Sequence, residues 1–396
     1  MRSTSNNLSS LLLLCLLGPS AAQASSRSSS RRSGGGGRPS PGCSKSTTVS
    51  PNTRTNFTLP STDPLGNNGG RPYTLWVPSS SSSSSSSSDG AQTPTPTPLI
   101  ISLHGAGRTA AWQADLDRLS DPSYGFNTDH AVAYLQSTGT TDVDRFWEGY
   151  PGLSDTVDDV AYALAVLDAV VDQHLCVDLD RVYVVGKSQG GGMAGQVLAC
   201  DARSAGRFAA FAAVSGAYYV PPDVVASAQS DNSSSSSSSS ECDPETVPLP
   251  PCDPKRAQVP LLAFHGGNDT TIAFAGGERR GYCLPAVKRW VEGWAARDGL
   301  DVEGAATSNL TSDAEVFVYG DGKDRGLTTF VYDGDRVGHD WPATFDNTDN
   351  VDHGTGPASF NASSGHRVIV DVDTHFYTYF YAIPYESYRD SIEHGR

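Results

Sequence analysis

Five residues, Gly186-Lys187-Ser188-Gln189-Gly190, constrain this chain more tightly than any other stretch. They follow Val182–Val185, a short unbroken apolar run of the kind that fills a parallel strand covered on both faces. They precede Gly190 to Cys200, which reads as a helix. A serine flanked by glycine two places before and two after marks a strand-to-helix turn so tight that a side chain on either flank would strike backbone. The turn lifts the serine hydroxyl out of the sheet edge. The helix behind it then points unsatisfied N–H groups at any charge that develops on a neighbouring oxygen. Ser188 is therefore read as a nucleophile, against the plainer reading of an incidental serine in a glycine-rich turn. Gly191 and Gly192 extend the clearance for helix–strand packing.

The rest of the chain supplies a setting for such a turn. Tyr73–Val77, Leu99–His104, Ala131–Leu135, Phe208–Val214, Val259–His265, Glu315–Tyr319 and Thr328–Tyr332 read as strands. Asp155 to Leu175 carries Val157, Val160, Leu164, Leu167 and Val171 at helical spacing. Further helices are expected near Leu284–Trp294 and along Val372, Phe376, Phe380 and Ile383. Strand–helix alternation predicts an α/β fold, a mostly parallel central sheet with helices on both faces, with ligands at the C-terminal ends of the strands.

A serine hydroxyl needs a histidine to take its proton and a carboxylate to fix the histidine tautomer. In this kind of fold the chain order is serine, acid, histidine. Asp269 follows the apolar strand in His265-Gly266-Gly267-Asn268-Asp269 and is the candidate acid; its plainer role would be a turn cap. Among the histidines beyond it, His339 stands in Gly338-His339-Asp340-Trp341-Pro342, a short loop after Thr328–Tyr332. His353 sits in a polar stretch, His375 in the terminal helical stripe and His394 in the tail, so His339 is the candidate base. One oxyanion donor is the amide of Gln189. The second comes from His104-Gly105-Ala106-Gly107-Arg108, with Ala106 favoured and Gly107 the near alternative. His104 and His265, each closing a strand, are read as loop-pinning residues.

Other groups carry less. Asp158 and Asp159 open a helix, where the dipole favours acids. No His, Asp or Glu cluster has metal-ligand spacing and no glycine loop has a phosphate-binding form, so neither metal nor cofactor is expected. Trp147, in the aromatic run Phe146 to Tyr150, and Tyr218 and Tyr219, after a strand, are candidate substrate-binding residues, set against simple core packing.

Composition bounds the partners. Of 396 residues, 28 are Lys or Arg and 44 are Asp or Glu, a formal charge of −16. That surface repels phosphate backbones and anionic lipid, which argues against nucleic-acid and membrane partners. Residues 1–24 have the apolar run and small-residue site of a signal peptide, and 25–42 read as a flexible linker. The catalytic domain is expected over 43–396, interrupted by serine-rich insertions at 79–98 and 229–241. Beyond the leader six cysteines remain, Cys43, Cys176, Cys200, Cys242, Cys252 and Cys283, enough for three disulfides of open connectivity. Sequons at Asn56, Asn232, Asn309 and Asn361 suit a secreted, extracellular glycoprotein.

Taken together, these motifs give the chain a family likeness. It resembles the secreted fungal feruloyl esterases related to the polyhydroxybutyrate depolymerase group of carbohydrate esterases, which are α/β-hydrolases. The resemblance rests on Leu103 to Thr109, Asp158-Asp159, Leu175-Cys176-Val177-Asp178 and Gly186 to Gly192. It continues through Leu198-Ala199-Cys200-Asp201, Val214 to Tyr219, Phe264 to Ile272 and Gly338 to Pro342. It implies release of hydroxycinnamic acids from arabinoxylan through an acyl-enzyme. The partners would be plant cell-wall polysaccharide esters or small hydroxycinnamate esters, and no carbohydrate-binding module is recognisable. Acetyl xylan esterases and polyester depolymerases share the same triad. A peptidase of this fold and a non-catalytic wall-binding protein are the remaining alternatives.

Overall fold

The structure is a computed structural model that describes residues 37–47, 49–60, 70–82, 84–86, 92–230 and 242–365. The expected signal peptide, the sequon Asn232, most of the second serine tract and the final helical stripe lie outside the described residues.

Apolar runs account for the centre of the molecule. Strands β1 (Thr55–Leu59), β2 (Arg71–Trp76), β3 (Thr97–Leu103), β4 (Ala131–Leu135), β5 (Val177–Lys187), β6 (Ala210–Val214) and β7 (Leu261–His265) join three later ones in one sheet. These are β8 (Ala306–Asn309), β9 (Glu315–Tyr319) and β10 (Thr328–Tyr332). The 10-stranded sheet runs β1-β2-β4-β3-β5-β6-β7-β10-β9-β8. Its middle, from β4 to β10, is parallel, and antiparallel pairs close both edges. Every residue of β3, β4, β6 and β7 is buried, as covered parallel strands require. One apolar layer gathers Leu99, Ile101, Val184, Phe211 and Trp290, and the other Ile100, Tyr183, Ala212, Phe264 and Trp341, on opposite faces of the same strands. With a tight turn at Ser188 after β5 and loops returning from β7 and β10, this is the α/β-hydrolase fold.

The helices are α1 (Ala110–Asp117), α2 (Asp159–Ala169), α3 (Gln189–Gly192), α4 (Pro222–Ser230), α5 (Val287–Arg297) and α6 (Thr348–His353). Several boundaries differ from the sequence expectation for identifiable reasons. Helix α2 begins only at Asp159, because the Asp158 carboxylate caps it by accepting from the Ala161 amide. Leu284 is no part of α5; it precedes Pro285, which disfavours helical backbone, and pairs instead with Gly277 in a small hairpin. The first serine tract is shorter than expected, since Thr97 and Pro98 already belong to β3 and Ser84–Ser86 pairs with Gln92–Pro94. The expected linker also ends early. Ser40 is buried, its amide donates to the Val177 carbonyl, and its hydroxyl joins Leu175 to Val177.

Three disulfides close the described chain: Cys43–Cys176, Cys200–Cys252 and Cys242–Cys283.

Candidate active site

Strand β5 ends at Lys187 and α3 starts at Gln189, leaving Ser188 alone in the turn with φ 59° and ψ −120°. That backbone is costly for a residue with a Cβ and survives only where neighbours enforce it. The glycines show how. A Cβ on Gly186 would stand 2.0 Å from the Gly190 carbonyl oxygen, and one on Gly190 would stand 2.5 Å from the carbonyl oxygens of Leu103 and His104. The turn closes only without those two side chains.

Ser188, His339 and Asp269 meet across this turn. His339 Nε2 lies 2.8 Å from Ser188 Oγ, and His339 Nδ1 lies 2.7 Å from Asp269 Oδ2. Each comes from a loop at the C-terminal end of a parallel strand, β5, β7 and β10. All three side chains are buried or nearly so. Since Asp269 can only accept, Nδ1 carries the proton and Nε2 faces the serine as an acceptor.

Asp269 is itself held on both oxygens. Its Oδ1 accepts from the Thr271 and Ile272 amides at 2.9 and 2.7 Å. Its Oδ2 also meets His265 Nε2 at 3.2 Å, while that nitrogen donates to the Ile272 carbonyl at 2.7 Å. Burial alone would raise the pKa of Asp269. The charge of His339 and hydrogen bonds from His265 and His339 overcome it and hold the carboxyl well below the usual carboxylate range. For His339, burial disfavours the charged form and the Lys187 ammonium adds to that. Asp269 and Asp349 pull the other way, and the pKa falls to about 4.

The loop after β3 lies against the serine. A Cβ on Gly105 would stand 3.3 Å from Ser188 Cβ. Among the described residues, the amides of Gln189 and Ala106 donate to no protein acceptor. The alternative donor, the Gly107 amide, is committed to the Arg145 carbonyl at 2.9 Å. His104 pins this loop as expected: its Nδ1 donates to the Gly105 carbonyl at 2.7 Å and its Nε2 accepts from the Ser137 amide at 3.1 Å. Burial lowers its pKa to about 4, which suits that neutral tautomer.

Two of the aromatic candidates do not line the site. Trp147 is 1% exposed; its indole N–H donates to the His104 carbonyl at 2.8 Å, and its amide donates to Gln189 Oε1 at the same distance. It braces the His104–Arg108 loop. Tyr218 is also 1% exposed and stacks on Trp290, rings 3.5 Å apart. Successive side chains of extended backbone point to opposite sides, so Tyr218 enters the core while Tyr219 packs with Ala217, Ile272 and Leu284 beside the triad.

Sequence reasoning passed over the framework behind His339. Asp340 accepts from His353 Nδ1 and Thr355 Oγ1, both at 2.6 Å, and from the Gly338 amide at 3.1 Å. Asp349 takes the Trp341 amide at 3.0 Å and the buried Lys187 ammonium at 3.3 Å. Lys187 stands inside the serine motif at one of its two variable positions, the one signal available. Among the described residues no group of three or more His, Cys, Asp or Glu could hold a metal ion.

The site and sheet define a serine hydrolase of the α/β class. The model of the Prolyl oligopeptidase family matches residues 120–280, a stretch that contains Ser188 and Asp269 and stops short of His339. Solved structures similar to the chain include an acetyl xylan esterase from Aspergillus awamori, at 15% identity and TM-score 0.45, covering 72% of this chain and 94% of that one. A ferulic acid esterase is similar at 21% identity and TM-score 0.30, covering 43% and 62%. An S-formylglutathione hydrolase from Staphylococcus aureus is similar at 16% identity and TM-score 0.34, covering 55% and 81%. No curated protein matches the chain.

Proposed function

We propose that this chain is a secreted serine esterase that releases hydroxycinnamic acids, ferulic acid among them, from esters on plant cell-wall arabinoxylan. The observation that carries the esterase reading is the continuous hydrogen-bonded path from Ser188 Oγ through His339 to Asp269, beside two uncommitted amides. Ser188 Oγ attacks the ester carbonyl carbon as His339 Nε2 takes its proton. The amides of Gln189 and Ala106 hold the oxyanion, and Asp269 steadies the imidazolium. Collapse breaks the acyl–oxygen bond, and the leaving sugar oxygen receives the proton from His339. Water, deprotonated by His339, attacks the acyl-enzyme and restores Ser188. The feruloyl preference rests on the sequence resemblance, and export rests on the leader together with three disulfides.

Ser188→Ala should abolish turnover while leaving the melting temperature near that of the parent; full retained activity overturns the mechanism. Rates on methyl ferulate, acetylated xylan, a short hydroxyalkanoate polyester and a prolyl peptide then decide the substrate class. The peptide is included because the matching family model is named for oligopeptide cleavage. Fastest turnover of methyl ferulate is the expected result, and fastest turnover of any other replaces the feruloyl reading. Binding to wall polymer without hydrolysis of any of the four would replace the esterase reading itself.

A further inference from the structure

Asp158 and Asp159 look alike in the sequence, two acids at a helix start, and the structure separates them. Asp158 caps α2, whereas Asp159, the first residue of that helix, turns inward and is buried. Its Oδ1 meets Arg71 Nη1 at 2.6 Å, with 3% of the arginine side chain exposed and 0% of the aspartate's. Its Oδ2 accepts from the Glu148 amide at 2.6 Å. Glu148 returns the bond, its Oε2 accepting from the Asp159 amide at 3.0 Å. Arg71, the first residue of β2, gives its other terminal nitrogen to the Gln136 carbonyl at 3.1 Å. Its guanidinium lies 3.6 Å from the ring centroid of Tyr162, and the Tyr162 hydroxyl donates to the Pro72 carbonyl at 2.7 Å.

The two segments held by this ion pair are the two that hold His104. Trp147, one residue before Glu148, donates its indole N–H to the His104 carbonyl and its amide to Gln189 Oε1. Gln136 Nε2 lies 3.0 Å from His104 Nε2, and the amide of the next residue, Ser137, donates to the same nitrogen. His104 Nδ1 then donates to the Gly105 carbonyl. That carbonyl and the Ala106 amide belong to one planar peptide unit, so the bond that fixes the oxygen also fixes the direction of the N–H. A buried ion pair adds little net stability, because desolvating both charges offsets their attraction. What a fully bonded buried network supplies is a single rigid geometry.

We propose that Arg71 and Asp159 are positioning residues that set the aim of the Ala106 amide at the oxyanion, acting through Gln136–Ser137 on one side, Trp147–Glu148 on the other and His104 between them. The effect is confined to the transition state, because the amide they aim bonds the oxygen most strongly once it carries charge. This inference rests on the esterase reading with Ala106 as an oxyanion donor, and it adds the residues that hold that donor in place.

The test measures kcat and KM on 4-nitrophenyl acetate, the melting temperature, and the Ki of phenylboronic acid, whose adduct with Ser188 puts an oxygen where the oxyanion forms. Asp159→Asn is isosteric but offers an N–H where either Arg71 or the Glu148 amide needs an acceptor. The double variant Arg71→Met with Asp159→Leu removes both charges together and leaves neither buried and unpaired. In both proteins kcat should fall about 100-fold with KM little changed, and Ki should rise in step. The melting temperature should fall in Asp159→Asn and recover in the double variant. Recovery of kcat along with the melting temperature means that the pair serves stability alone and overturns the proposal, as does a parent-like kcat in Asp159→Asn. Either result leaves the esterase reading intact, whereas a parent that hydrolyses no ester overturns that reading and the proposal with it. Where neither variant folds, Arg71→Lys decides, since it keeps the charge but loses the fork that spans Asp159 and Gln136. Lowered kcat at a parent-like melting temperature supports the proposal, and parent-like kcat overturns it.

Discussion

The ammonium of Lys187 sits 3.3 Å from Asp349 Oδ2, with both side chains buried, one residue before the candidate nucleophile. The pair joins the serine turn to α6, and Asp349 also receives the Trp341 amide two residues beyond His339. Its two charges act on His339 in opposite senses, Lys187 lowering the pKa and Asp349 raising it. His339 works as a base only when neutral, so the acid limb of kcat/KM should lie near pH 4. Lys187→Met should move that limb to higher pH, and Asp349→Asn, which keeps an acceptor for Trp341, should move it to lower pH. A purely structural pair would lower kcat in both variants without opposite displacements of the limb.

Asp269→Asn tests the other end of the relay. The amide can still accept through its oxygen, but its NH2 cannot hold the proton of His339 Nδ1, so the tautomer that faces Nε2 to Ser188 is lost. A fall in kcat of roughly 10³–10⁴-fold is expected, with substrate binding little changed. Stability should respond as well. The folded pKa of Asp269 is depressed, so its contribution is fully present above the unfolded value near ~3.9 and fades as pH falls below it. The variant should therefore melt lower at pH 7 and converge on the parent in strong acid. Equal melting at both pH values would contradict the depressed pKa.

How much of this was legible from residues alone follows from the range of the forces involved. The serine turn could be read because its glycine requirement is local: Gly186 and Gly190 lie within a single turn, and a side chain on the first would strike the backbone of the second. Asp269 and His339 could be read because the fold delivers them from loops just after strands whose apolar runs are plain. That Trp147 packs into the interior could not, because it depends on Gln189 clasping the backbone of Trp147 from 42 residues away. The Lys187–Asp349 pair is equally non-local. Nothing in the spacing of either residue announces it, and a buried ion pair declares itself only when both desolvated partners are seen together.

Asp333 follows β10 and is 1% exposed, and among the described residues neither carboxylate oxygen has a hydrogen-bond partner. Burial first, then the nearby charges of Asp340 and Asp269, push its pKa well above the ordinary value. An acid raised in the folded state costs stability above its unfolded pKa, increasingly so until the pH reaches the folded value. Asp333→Asn removes that cost. The variant should be more stable than the parent at pH 7, on the order of 1 kcal/mol, with the difference vanishing toward pH 4. Urea denaturation at the two pH values measures it, and a destabilised variant at pH 7 would mean that the carboxylate is ionised and held by an ordered water.

The Cys43–Cys176 disulfide closes the longest loop of the three, with a sequence separation of 133. It fixes the segment that zips onto the start of β5: Pro39 bridges Asp178, and Ser40 bonds Leu175 and Val177. Constraint of the unfolded chain grows with loop length, although strain and residual structure reduce the realised gain. Replacing both cysteines by serine should cost about 2–4 kcal/mol in chemical denaturation. Val177 and Gly186 pair with Thr97 and Leu103 of β3, six steps apart, which places the bridge about 20 Å along the sheet from the serine turn. Labelling of Ser188 by a fluorophosphonate should therefore keep the parent's rate at temperatures below the lowered melting point. Lost labelling in a still-folded variant would show that the register of β5, rather than its stability alone, depends on the bridge.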